Sequence, residues 1–169
     1  MSLHADLLRQ SRHLATREPR RPKHASLRRA ISTAYYALFH LLIDEATARL
    51  VTGRDRARLR QALGRAFNHD AMKEAAQGFA NNNISPKIRP AIGGLTPQRE
   101  LVSVAAAFVD LQQARHEADY DTSRRFTRRE SLDLVEQAEQ AFTDWRVVRH
   151  SLQADVFLVA LLAQRQMRT

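Results

Sequence analysis

Arg124, Arg125, Arg128 and Arg129 form the densest run of cations in the sequence. They bracket a turn, and a helix signal follows at Thr127. The free amides of a helix start bind phosphate. Arginines are electrostatically unfavourable at that end of a helix, so local stability does not account for them. Phosphate or RNA contact is one reading of the four, and a solvated charged face is the other. Tyr35, Tyr36 and Phe39 are a second candidate, since bases stack on such rings. At helical spacing among aliphatic residues they also read as core. His40 lies four residues after Tyr36, on the same helix face, and reads as a hydrogen-bonded, half-buried histidine. His69-Asp70 lacks further residues at metal-ligand spacing, so no metal centre is expected. No cofactor is expected either.

The overall charge agrees with an anionic partner. Lysine and arginine number 27 against 18 acidic residues, a formal charge of +9, and such an excess favours nucleic acid. Only Lys23, Lys73 and Lys87 are lysines. A GC-rich coding sequence would produce the same arginine bias without selection for binding. The absence of cysteine excludes disulfides, zinc ribbons and thiol chemistry. The longest apolar run is Val156 to Ala163, far below the roughly 20 residues of a membrane span. No signal-peptide pattern is visible in Met-Ser-Leu-His-Ala-Asp, so a cytoplasmic protein is expected.

Helices must position these residues. The chain has five glycines and five prolines and few β-branched runs, which predicts an all-α fold: an up-and-down bundle of four to five helices in one domain over 1–169. A first helix is expected from Ser2 to about Arg17, ended by Pro19 and Pro22. A second runs from about Ala25 to Val51, with Leu27, Ile31, Ala34, Leu38 and Leu42 on one stripe and Gly53 near its C-cap. A charged helix over Arg54 to Phe67 precedes one capped by Asn68 and ending near Ala80. Asn81 to Pro97 is a long loop suggesting mobility or a binding role. Thr96 and Pro97 are expected to open the next helix, toward Arg115. Thr127 and Glu130 form a capping box for the last one, which continues to about Ala163 with a break near Ser151.

Two segments carry more than periodicity. One is Leu27-Arg28-Arg29-Ala30-Ile31-Ser32-Thr33-Ala34-Tyr35-Tyr36-Ala37-Leu38-Phe39-His40. The other is Ala114-Arg115-His116-Glu117-Ala118-Asp119-Tyr120-Asp121. In this order and separation they resemble the HEPN family of prokaryotic all-helical proteins over roughly residues 3–160, with 81–97 unmatched. The resemblance implies a homodimer and a toxin–antitoxin or phage-defence setting. It implies RNA or a nucleotide as ligand, and a nucleotidyltransferase-type protein as a possible partner.

Many members of that family are metal-independent ribonucleases. They use an arginine and a histidine with four to six residues between them at the end of the third long helix, contributed by both subunits. Arginine there stabilises phosphate charge and histidine moves a proton. In this sequence Arg115 matches the arginine, but the histidine positions hold Asp119, Tyr120 and Asp121. His116 is adjacent to Arg115, about 100° away around a helix. Arg17 and His24 match the spacing in the wrong place, across the proline-broken linker. Two readings follow. Arg115, His116, Asp119 and Tyr120 form a diverged catalytic site in which His116 or Tyr120 handles the proton. Alternatively, Ala118-Asp119-Tyr120 is a structural corner, with Asp119 capping or pairing with arginine and Tyr120 plugging the bundle. The first makes the chain a ribonuclease. The second leaves a binding protein, or a structural dimer with no nucleic-acid role.

Overall fold

A computed structural model describes residues 2–166. Among them the fold is all-helical, as expected, with seven α-helices: α1 (Leu3–Thr16), α2 (His24–Leu50), α3 (Ala57–Gly64), α4 (His69–Ala80), α5 (Arg99–Tyr120), α6 (Arg128–Val148) and α7 (Leu152–Ala163). The number exceeds four to five because α3 and α4 are separate short helices and Ser151 cuts the last stretch in two. The Ser151 hydroxyl accepts the Ala154 amide at 3.1 Å, so that break is itself an N-cap.

The chain divides into two compact units, Met1–His40 with Ala107–Thr143, and Leu41–Ala106 with Asp144–Thr169. In the first, α1 and parts of α2, α5 and α6 bury Leu27, Ile31, Tyr35, Leu38 and Phe108. Arg12 of α1 donates through Nε and Nη2 to the two carboxylate oxygens of Glu139 on α6, at 2.7 and 2.6 Å. In the second unit α7 packs on α4 and on a 3₁₀ turn, Arg89–Ile92. Phe79 and Phe157 meet edge-on with centroids 5.0 Å apart.

Several boundaries differ from the sequence expectation. α3 is shorter than 54–67. α5 opens at Arg99 rather than at Thr96-Pro97, because Gln153 engages the preceding backbone. Its Oε1 accepts the Gln98 amide at 2.7 Å and its Nε2 donates to the Thr96 carbonyl at 3.2 Å. α5 also continues past Arg115 to Tyr120. Asn68 caps α4 as expected, accepting from the Asp70 and Ala71 amides at 3.0 and 3.1 Å. The segment 81–97 is held down by Ile84, Ile88 and Ile92, all buried. It starts with a Schellman closure in which Asn82 takes φ of 51° and the Asn83 amide reaches the Gly78 carbonyl at 2.8 Å. A Cβ on Gly78 would stand 3.3 Å from the Asn83 carbonyl oxygen, which explains the glycine.

Candidate functional site

Ser32 and Tyr36 are four residues apart on α2, and Arg115 and Asp119 four apart on α5, so each pair shares one helix face. The two faces meet in the first unit. Arg115 Nη2 donates to the Tyr36 hydroxyl at 2.9 Å. Its Nε stands 2.9 Å from an Asp119 carboxylate oxygen, an electrostatic contact without hydrogen-bond geometry. The Ser32 hydroxyl donates to the other oxygen of that carboxylate. The rings of Tyr35, Tyr36 and Tyr120 lie 5.8, 5.5 and 5.7 Å from the guanidinium carbon, within cation–π range. Only 16% of the Arg115 side chain is exposed. Burial works against its charge, but the Tyr36 hydrogen bond and the Asp119 charge outweigh it, and the pKa stays above arginine's ordinary value.

The structure thus gathers Arg115, Asp119 and Tyr120, and leaves His116 on the exposed side of α5 against Tyr120, ring centroids 5.1 Å apart. Asp119 pairs with arginine, as the corner reading required. Tyr120 does not plug the bundle: it is 65% exposed, because α5 carries it to the last helical position, facing solvent. The corner comes one residue later. The Asp121 carboxylate accepts the Ser123 and Arg124 amides at 2.9 and 3.2 Å. Those bonds, with one from the Ser123 hydroxyl, lower its pKa. Arg28 closes the end of α5, donating to the carbonyls of Ala118, Asp121 and Arg124 at 2.6 Å each.

The four-arginine run is largely answered from within the chain. Arg124 lies between Glu130 at 2.8 Å and Glu117 at 3.5 Å. Arg128 donates to the carbonyls of Glu18 and Pro19. Arg129 pairs with Asp133 at 2.8 Å, although 85% of its side chain is exposed. Arg125 is exposed and forms no ion pair among the described residues. The capping box takes helix-start amides, since Thr127 N–H donates to Glu130 at 2.7 Å and Glu130 N–H to the Thr127 hydroxyl at 3.2 Å. The Thr127 amide, the Thr127 hydroxyl, which donates to the same carboxylate at 2.8 Å, and Arg124 hold the Glu130 carboxyl down to about 2. Tyr35 and Phe39 are buried core residues, so no three-ring stacking platform forms. Tyr36 is half-buried, and its ring centroid lies 6.4 Å from that of His40. No group of three or more metal-ligating side chains occurs among the described residues.

One feature was not legible in the sequence. A cleft of about 290 Å³ opens between α1 and α2, lined in part by Ser32 and Tyr36. Leu7, Gln10 and Leu14 line it from α1, while Arg29 and Thr33 complete the α2 wall. Arg29 is exposed and has no ion-pair partner among the described residues. Arg28 and Arg29 look alike in sequence. Only the turn of the helix separates the one that caps α5 from the one that faces the cleft.

No family model, curated protein or solved structure matches the chain.

Proposed function

We propose that the protein is a HEPN-like RNA-binding protein that acts as a homodimer and does not cleave what it binds. One observation carries this reading. The Arg115 guanidinium is committed to the Tyr36 hydroxyl and the Asp119 carboxylate, with no histidine in the cluster. A guanidinium so occupied has little freedom to meet a developing phosphate charge. The positive charge of the chain and the unpaired Arg29 and Arg125 supply the attraction for a polyanion. A toxin–antitoxin or defence setting, with a nucleotidyltransferase-type partner, belongs to the same reading through the family resemblance.

The purified protein is mixed with labelled, mixed-sequence RNA without metal, beside Arg115→Lys. RNA is expected to be retained at low salt, to be released steeply as salt rises, and to stay intact. Cleavage by the wild type that Arg115→Lys abolishes would overturn the reading. It would favour the second one, a metal-independent ribonuclease. The exposed His116–Tyr120 pair beside Arg115 is what supports that alternative. Absence of RNA retention at low salt would leave a structural or regulatory dimer.

A further inference from the structure

The cleft between α1 and α2 combines three kinds of lining, as small-ligand pockets do. Leu7 and Leu14 give apolar walls, Gln10 and Thr33 give hydrogen-bonding groups, and Arg29 gives a cation at the rim. About 290 Å³ lies just below the usual size of small-ligand pockets, roughly 300–1,000 Å³. That is room for one planar ring and its substituents, not for a folded peptide or an RNA helix. Arg29 differs from its neighbours in having no ion-pair partner among the described residues. Arg28 is bonded to three carbonyls at 2.6 Å, and Arg124, Arg128 and Arg129 are engaged as well.

A single unstacked RNA base fits this set. Sequence-specific RNA recognition works on bases splayed out of their stack, held against apolar or aromatic surfaces and read along their edges. Gln10 is exposed at the cleft, and its carboxamide offers a donor and an acceptor side by side. Glutamine makes that bidentate pair with the N6 and N7 edge of adenine. Arginine is suited to the phosphate that accompanies the base.

We infer that the α1–α2 cleft is a base-reading subsite for single-stranded RNA, in which Gln10 selects adenine and Arg29 holds the adjoining phosphate. The inference rests on the RNA-binding reading above and adds a sequence preference to it.

Binding of oligoadenylate, oligouridylate and oligocytidylate of equal length by the full chain tests it, with Gln10→Leu and Arg29→Ala alongside. Both residues are exposed, and thermal melts establish that the variants fold. The wild type is expected to prefer oligoadenylate by about tenfold or more, the scale of one bidentate base contact. Gln10→Leu should erase the preference while leaving oligouridylate binding in place. Arg29→Ala should weaken all three and reduce the salt slope by about one phosphate contact. AMP should compete far less well than oligoadenylate, since it offers one phosphate where the strand offers several to the rest of the protein's cations. Retention of all three RNAs with equal affinity, or a preference unchanged in Gln10→Leu, would overturn the subsite and leave the RNA-binding reading standing. Competition by AMP at equal concentration would move the cleft to a free nucleotide and overturn its assignment to RNA. Retention of no RNA at all would remove both.

Discussion

Arg115 of α5 and Tyr36 of α2 are hydrogen-bonded to each other at 2.9 Å. The bond runs from a largely buried guanidinium to a half-buried hydroxyl, so its loss strands a charge that water reaches poorly. Tyr36→Phe keeps the ring and removes only the acceptor. It is expected to lower the unfolding free energy by about 1.5–3 kcal/mol, the range for a hydrogen bond to a charged group. Urea denaturation measures this. An unchanged midpoint would mean that Asp119 and the three rings hold Arg115 without the hydroxyl.

Arg28 ties the end of α5 to α2 through three short bonds to carbonyls. Those acceptors diverge, and the planar fork of a guanidinium reaches them in a way a single ammonium cannot. Arg28→Ala should cost about 2 kcal/mol, and Arg28→Lys should recover little of it. Amide exchange at Ser123 to Phe126 should quicken in both variants. Full recovery by lysine would show that charge near the helix end, rather than the fork, is what stabilises the corner.

The Glu130 carboxyl is held at about 2, against an ordinary 4.5, by the Thr127 amide and hydroxyl and by Arg124. A depressed carboxylate contributes stability that is fully present above its unfolded pKa and is lost as pH falls through the folded one. Stability should therefore decline from about pH 5 toward pH 2, and Glu130→Gln should flatten that decline. Denaturation at a series of acid pH values measures the slope. A slope unchanged by the substitution would place the acid sensitivity elsewhere.

The sequence was most informative where one residue type satisfies a local need. Asn68 and the Thr127–Glu130 box cap helices where their side chains predict, and the expected break at Ser151 proves to be a third cap, since each needs only backbone amides two or three residues away. It misled where a distant group decides. Thr96-Pro97 has the chemistry of a helix start, but Gln153, more than fifty residues later, holds that backbone out of the helix. The asparagines, prolines and glycines of the loop 81–97 suggest mobility or a binding role and say nothing of what anchors it. Ile84, Ile88 and Ile92, at four-residue spacing, were the overlooked sign of its anchoring. At the site, the sequence allows Asp119 either to cap or to pair with an arginine, and does not say which arginine. Tyr36 as a partner of Arg115, and the cleft it helps to line, depended on the packing of helices distant in sequence.

Asn82 sits at φ 51°, the left-handed position of the Schellman closure after α4. Asparagine tolerates this conformation, glycine adopts it freely, and a β-branched residue resists it. Asn82→Gly should leave stability unchanged or slightly raised. Asn82→Val should lower it by about 1–2 kcal/mol. Thermal melts of the two variants suffice, and equal melting temperatures would mean the segment relaxes out of the turn without cost.

His24 gives a pH dependence in a different window. Its Nε2 accepts the Phe126 amide at 3.2 Å, and its ring stacks on Phe126 at 6.4 Å between centroids. Burial, then the charges of Arg28 and Arg125, lower its pKa below the ordinary 6.5. The neutral ring is thus the folded form, and an Nε2 that takes up a proton can no longer accept the amide. A histidine with a lowered folded pKa contributes stability above its unfolded pKa and loses it as pH falls through the folded one. The unfolding free energy should drop between about pH 7 and pH 5, above the range in which Glu130 acts. His24→Leu should start from a lower stability, because the Phe126 amide loses its acceptor, and should lose less of what remains across that interval. If wild type and variant lose stability in parallel between pH 7 and pH 5, His24 is not the group that titrates.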